Sequence, residues 1–270
     1  MASTQQLKSR IRSVKSTKQI TKAMQLVAAS KMRKAQEAEK ASLPYTRAAN
    51  ELLTYLASQG VTKGHPLFEK RENVKSRLVI VVATDKGLAG AYDSNVLKLY
   101  SRELLDDDAN HAKNQTITIG RRANRFASRI KNVQVVAAYQ DLPDQPAGIQ
   151  LRTILDTAKE KFESGEVDAV DIIYTEFISS VNQVAKIQRI MPAGFETTEV
   201  SDDVREATFE PSPEAVLDGV AYRLVEAQIF QALLEARASE YIMRMLAMKN
   251  ATDNANDLID DLTLAMNKAR

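Results

Sequence analysis

The loop Thr84–Gly90 is the stretch best placed to do chemistry. It follows Leu78–Val82, an apolar run rich in β-branched residues, which predicts a strand buried on both faces. In nucleotide-binding α/β folds the loop after such a strand holds a phosphate. This loop has neither the glycine spacing of a dinucleotide-binding fingerprint nor the Gly-Lys-Ser/Thr of a P-loop. We therefore predict a tight turn without a cofactor, and a flavodoxin-like enzyme with helical arms is the alternative.

No other residues have the spacing of a catalytic or metal site. The two histidines, His65 and His111, lie far apart without partners at ligand spacing, and the chain has no cysteine. The absence of cysteine excludes disulfides and thiolate ligands. The longest strictly apolar run, Leu78–Ala83, is too short to span a bilayer. These observations predict a protein that is not an enzyme and has no metal site.

The start of the chain carries an excess of positive charge. Residues 1–36 contain nine lysines and arginines and no acidic residue, although the net charge of the whole chain is only +2. Such a segment could contact nucleic acid, act as a mitochondrial transit peptide, or form a cationic rod that enters an acidic protein socket. The charges surround the predicted helix, no aromatic residues interleave for base stacking, and the pattern continues past Lys40. We favour the protein socket, with no nucleic acid as a partner.

Two long helices must position these features. At the end of the chain, apolar or small residues recur at alternating steps of four and three, the 3.5-residue period of a coiled-coil seam. The seam positions are Tyr241, Met245, Met248, Thr252, Ala255, Ile259, Leu262, Met266 and Ala269. A similar pattern runs from about Thr4 to about Leu56, where Pro44 predicts a kink or a short break. Methionines near both seams either fill gaps in the packing or form a smooth, adaptable surface.

Between the helices, strands alternate with helices. This alternation predicts a mostly parallel sheet in a three-layer α/β domain. The predicted fold class is therefore α/β: a long antiparallel two-helix coiled coil, made by the N- and C-terminal helices, with an inserted Rossmann-like α/β domain. We place the N-terminal helix in residues 1–60, the α/β domain in 75–195 and the C-terminal helix in 210–270.

Three motifs resemble the γ subunits of F-type ATP synthases. They are Ser13–Ala35 (SVKSTKQITKAMQLVAASKMRKA), Thr84–Gly90 (TDKGLAG) and Ala247–Ala255 (AMKNATDNA). Their order and spacing agree over essentially the whole chain. Ala89 stands where many relatives have cysteine, and the cysteine-bearing insert of chloroplast relatives is missing. The chain also ends at Arg270, whereas relatives continue into a further short stretch of helix.

The resemblance implies a central-stalk rotor subunit that holds no nucleotide. Such a subunit couples proton-driven rotation of the membrane c-ring to the conformational cycle of the catalytic β subunits. Its implied partners are the α and β subunits, ε and the c-ring. Its implied location is the cytoplasmic face of a bacterial plasma membrane, where it is peripheral and attached through the c-ring.

The resemblance also implies contact residues. Lys22, Met24 and Lys31 would meet an acidic lever segment of β, and Arg244 would lie on the facing side of the shaft near that contact. Glu210, in the sequence Phe-Glu-Pro, would touch the polar loops of the c-ring.

Overall fold

The computed structural model describes residues 4–69, 71, 73–144, 149–194 and 197–269. The predicted ranges 1–60, 75–195 and 210–270 each include residues outside this description. Two long helices, α1 (Thr4–Ser58) and α6 (Pro213–Ala269), enclose all other elements in the sequence. We call this helix pair the shaft, and we call the residues from Ser76 to Met191 the foot.

The two shaft helices run antiparallel. Thr21 of α1 contacts Thr252 of α6, whereas Ser42, further along α1, contacts Gln231, which lies earlier in α6. Met248, Thr252 and Ala255 are buried in the described structure. Tyr241 is buried as well. Of the other predicted seam residues, Met245, Ile259, Leu262 and Met266 are half-buried, and Ala269, at the end of α6, is exposed.

Helix α1 continues through Pro44 without a break. A proline inside a helix removes one hydrogen bond and strains the preceding turn. Beyond it, however, Leu53 and Leu56 pack with Leu217 and Leu224 of α6. The burial of these leucines stabilises the last turns of α1, so the helix ends at Ser58 instead of near the proline.

The foot contains a five-stranded sheet with the strand order β3-β2-β1-β4-β5. The strands are β1 (Ser76–Val82), β2 (Lys113–Ile119), β3 (Gln134–Tyr139), β4 (Ala169–Phe177) and β5 (Gln183–Met191). β1 pairs in parallel with β2 and β4, β2 pairs in parallel with β3, and β5 is antiparallel to β4. The foot helices are α2 (Tyr92–Ala109), α3 (Arg121–Ala127) and α4 (Ile149–Glu163), and the short α5 (Asp202–Arg205) precedes α6.

The sheet is covered on both faces, and one cover is part of the shaft. Tyr100 of α2 and Ala123 of α3 pack on one face with Val79 and Val81. On the other face, α4 shares the core with a row of α6 residues: Ala221, Val225, Ile229, Ala232, Leu233 and Ala236. The part of α6 from Leu217 to Ala236, which we call its lower half, therefore buries one side against α1 and another side against the sheet. The predicted α/β class, with a two-helix coiled coil and an inserted three-layer domain, is confirmed.

A buried ion-pair network joins the amino end of β1 to its neighbours. The guanidinium of Arg77 donates to Asp107 of α2 and lies 3.3 Å from a carboxylate oxygen of Asp171 in β4. Asp171 also accepts a hydrogen bond from Arg189 of β5. These pairs tie α2 and three strands together at the end of the sheet away from the loop 84–90. Within the described ranges, no helix combines the length and the apolarity that crossing a membrane requires.

Candidate functional site

A groove of about 660 Å³ lies where the foot meets the shaft. Its walls are α1, α6 and the loops that follow β1 and β3, so it lies at the carboxyl end of the parallel strands. Met24 and Lys31 line it from α1, Tyr241 and Arg244 line it from α6, and Leu88 lines it from the loop after β1. The structure thus brings together three of the four residues predicted to meet β.

The loop after β1 is closed by the chain's own side chains. The carboxylate of Asp93, in the first turn of α2, accepts hydrogen bonds from the backbone N–H of Thr84 (2.9 Å) and from its hydroxyl (2.8 Å). Asp85 accepts a hydrogen bond from the backbone N–H of Arg121, which begins α3. The backbone N–H groups of Thr84 and Arg121, at the carboxyl end of the sheet, are therefore bound by the chain's own carboxylates and are not free for a phosphate. This geometry favours the predicted turn over a nucleotide site.

Arg244 holds the same loop from the shaft side. Its guanidinium donates to the carbonyl oxygen of Lys86 (3.0 Å) and pairs with Glu240 (2.8 Å). The side chain is only 11% exposed. Arg244 is therefore a bridge between α6 and the loop after β1, and its charge is already balanced within the chain.

Lys31 is also paired within the chain. Its Nζ lies 3.0 Å from Oδ2 of Asp144, which follows β3, and 5.2 Å from the centre of the Tyr241 ring. The hydroxyl of Tyr241 donates a hydrogen bond to Asp144. Burial alone would raise the pKa of Asp144, but the hydrogen bonds from Tyr241 and Lys31 outweigh burial and lower it. Asp144 is thus held as an anion between the two shaft helices.

Lys22 lies outside the groove. It is exposed on α1, and its Nζ donates to the side-chain oxygen of Gln25 at 3.3 Å. Met24 is half-buried at the rim.

An exposed apolar patch, which the sequence analysis did not identify, borders the groove. It consists of Ile20 (60% exposed), Val27 (58%) and Leu88 (62%), with Met24 between them. Ile20 and Val27 fall off the seam of α1, and an apolar residue off the seam was the signal available in the sequence. Leu88 has a φ of 66°, an uncommon conformation for a residue with a side chain. Nothing in the sequence indicated that the loop would turn this leucine outward.

Glu210 lies at the other end of the foot. It is exposed, three residues before α6 begins, and therefore roughly 40 Å along the helix axis from Tyr241. Its neighbour Phe209 stacks on Tyr55 of α1, with ring centres 5.5 Å apart, which fixes this segment to the base of the shaft. Four further acidic residues near Glu210 in the sequence are exposed: Asp202, Asp203, Glu206 and Glu214.

The upper shaft, formed by the start of α1 and the end of α6, has one basic and one acidic helix. Exposed cations of α1 include Lys8, Arg10, Arg12, Lys15 and Lys22, and exposed acids of α6 include Asp253, Asp257, Asp260 and Asp261. In the described part of the chain, the ion pairs lie elsewhere, and none joins these two sets. The two helices of the shaft therefore carry opposite charges, and the described structure shows no ion pair between these two sets.

The whole length of the chain matches known proteins. The sequence model of the ATP synthase family matches residues 3–270. The ATP synthase gamma chain of Stenotrophomonas maltophilia is 36% identical over 270 residues, which cover 100% of this chain and 94% of the relative. The gamma chain of Moorella thermoacetica is 39% identical over 100% of this chain and 93% of the relative.

Solved structures share the fold. The rotor of the Euglena gracilis mitochondrial ATP synthase matches with a TM-score of 0.67 and 18% identity, over 99% of this chain and 97% of that chain. The central stalk of the Tetrahymena thermophila mitochondrial enzyme matches with a TM-score of 0.64 and 23% identity, over 86% of this chain and 99% of that chain.

A two-helix shaft on a three-layer foot therefore defines a stalk protein of a rotary ATP synthase. The chain belongs to the ATP synthase gamma chain family. This confirms the resemblance found in the sequence, and with it the prediction of a central-stalk rotor subunit that is not itself catalytic. The match also favours a protein socket over nucleic acid as the reason for the basic helix.

Proposed function

We propose that this chain turns inside a hexamer of α and β subunits and that the groove end of its foot meets an acidic segment of β. The observation that carries this proposal is the apolar patch of Ile20, Met24, Val27 and Leu88 beside the cations Lys22 and Lys31. An acidic segment with an apolar side would cover the patch and place its carboxylates near the lysines. Arg244 contributes indirectly, because it holds the loop that presents Leu88.

We place the c-ring at the opposite end, around Glu210. The exposed acidic segment there lies at the base of both shaft helices and is anchored by the stacking of Phe209 on Tyr55. An acidic surface of this kind suits the polar loops of a ring subunit. Beside the foot we place ε, for which the hairpin between β4 and β5 offers an apolar surface in Ile178 (54% exposed) and Val181 (90%).

Coupling then follows from the asymmetry of the shaft. As the shaft turns, each β subunit meets a basic helix, an acidic helix and the groove in succession. Each contact stabilises one of the discrete conformations of β relative to the others, and this difference in free energy drives the conformational cycle. We also propose the cytoplasmic face of a bacterial plasma membrane as its location, supported by the bacterial origin of the relatives described above.

The test is ATP hydrolysis by purified α and β subunits with and without this chain at matched concentrations. We expect a large rise in turnover and co-elution of one chain per three β subunits. Co-elution without a rise would show that the chain seats in the hexamer without driving its sites. Failure to co-elute would contradict the proposal, and binding to duplex DNA that weakens steeply with salt would then support the nucleic-acid alternative.

A further inference from the structure

The ion pair between Lys31 and Asp144 lies at the rim of the groove, where an external partner would also bind. The lysine is on α1, and the aspartate is on the loop after β3, 113 positions later in the chain. Both side chains are nearly half exposed, at 46% and 47%. The pair is thus reached by solvent, and by any protein segment that covers the groove.

The two side chains of this pair differ in how strongly further contacts hold them in place. Asp144 keeps a second hydrogen bond, from the hydroxyl of Tyr241, and the side chain of Tyr241 is buried between α6 and α1. The preceding residues of the loop are also anchored, because the carbonyl of Leu142 accepts from Arg237 (3.1 Å) and Asp141 accepts from Arg121. Lys31 has a long flexible stem and only loose further contacts with Tyr241. Lys31 can therefore leave Asp144 without disturbing the loop, whereas Asp144 is fixed.

We propose that Asp144 is an internal competitor that occupies Lys31 whenever no external carboxylate does. Lys31 exchanges between Asp144 of its own foot and an acidic side chain of the subunit that covers the groove. This inference rests on the proposed contact with β and goes beyond it, because it assigns a role to a residue of the foot.

The consequence is a contact that forms and releases easily. Without Asp144, an approaching carboxylate would gain the whole attraction of an unpaired lysine. With Asp144 in place, one ion pair replaces another, so the net change in free energy is small. A rotor must leave each β subunit as readily as it meets it, and a weak contact at this position serves that requirement.

Removal of the competing charge tests the inference. In the complex with α and β, we expect Asp144→Asn to slow ATP turnover by about twofold to fivefold at low salt, the factor that an exposed ion pair is worth. We expect the loss to shrink as salt rises, because ions screen exposed charges. In a Lys31→Gln background, Asp144→Asn should change nothing further.

Two controls separate competition from support of the loop. Asp141→Asn breaks the neighbouring ion pair with Arg121 but leaves Lys31 paired with Asp144, so any effect that it has on turnover should be the same in the Lys31→Gln background. Tyr241→Phe removes the anchor of Asp144 but keeps its charge, and should not reproduce the slow, salt-sensitive turnover.

The inference is overturned if Asp144→Asn has no effect, if its effect persists without Lys31, or if Tyr241→Phe copies it. Failure of the proposed function looks different, because the unaltered chain would then neither co-elute with the hexamer nor stimulate it.

Discussion

At the scale of single residues, the contacts predicted for β divide into two kinds. Met24 and Lys22 stand at or near the surface, where an external segment can reach them. Arg244 is engaged by Glu240 and by the carbonyl of Lys86, and Lys31 is engaged by Asp144. Cations that look equivalent in the sequence therefore differ in what they can offer a partner. Only a side chain that is free, or that is easily freed, contributes attraction to an interface.

The negative charge of Glu235 destabilises the folded chain. This residue lies on α6, where burial raises its pKa, and the carboxylates of Glu39 on α1 and Glu176 on β4 raise it further. A hydrogen bond from Gln231 and the charge of Lys186 on β5 offset part of this effect. Glu235 therefore binds its proton more tightly in the folded state than in the unfolded chain. The stability that protonation provides is complete below the ordinary pKa of glutamate and is lost as the pH rises through the raised value.

We expect Glu235→Gln to raise the melting temperature at pH 7 by a few degrees, because glutamine keeps the hydrogen bond and removes the charge. The difference from the unaltered chain should vanish as the pH falls toward 4. Thermal unfolding measured between pH 4 and pH 8 tests this, with Glu37→Gln, an exposed residue of α1, as the matched control. A lower melting temperature at pH 7 would mean that Lys186 stabilises the carboxylate more than burial disfavours it.

At the scale of elements, α6 has two roles along its length. Its lower half is apolar on two sides, because it closes the core of the foot and also packs against α1. Its upper half carries a narrower seam with polar residues outside it. In that upper seam the hydroxyls of Thr21 and Thr252 are buried and lie 2.7 Å apart. A polar pair inside an apolar seam favours one register of the two helices, because any shift separates the two hydroxyls from each other.

We expect Thr252→Val to lower the free energy of unfolding by about 1 kcal/mol, because it leaves the buried hydroxyl of Thr21 without its partner across the seam. The double variant Thr21→Val with Thr252→Val should recover part of this loss, since neither hydroxyl then remains. Denaturant unfolding of the four chains, followed by helical circular dichroism, gives the interaction energy. Strictly additive losses would show that the two hydroxyls do not stabilise the seam as a pair.

At the scale of the whole molecule, the foot and shaft form one connected body. Helix α6 of the shaft also covers one face of the sheet of the foot, and its residues Arg244 and Tyr241 bind the loops after β1 and β3. In the proposed function, rotation applied at the base near Glu210 reaches the groove through a continuous helix and not across a hinge. In the proposed contact with β, the charge of the groove decides how firmly the rotor holds each subunit it passes.

Met24→Lys adds a cation to the groove, beside the apolar patch. We expect an extra ion pair with an acidic group of β, worth about 1–3 kcal/mol where it is partly desolvated, which impairs coupling more than assembly. The ATP formed per proton transported in membrane vesicles is the measurement. Leu26→Lys is the matched control, because Leu26 is 61% exposed on the same helix but does not line the groove. An unchanged yield with Met24→Lys would contradict the placement of Met24 at β.

The sequence by itself determined the elements and how they alternate. The 3.5-residue repeat around Met248 and Thr252 predicted a paired helix, and the β-branched run Leu78–Val82 predicted a strand covered on both faces. Both signals are local periodicities, which depend only on how a helix or a strand repeats its side chains. The three motifs also indicated the protein family, because they contain the residues typical of that family at the expected spacing.

The tertiary structure alone decided the site. Lys31 meets Asp144, and Arg244 meets Lys86, across more than a hundred residues in each case. The lower half of α6 becomes a layer of the foot because the sheet needs a second apolar cover. Leu88 faces outward because its loop is held by Arg244 and Asp93. Each of these contacts depends on the tertiary fold. A local sequence repeat carries no information about the distance between two side chains that are far apart in the sequence.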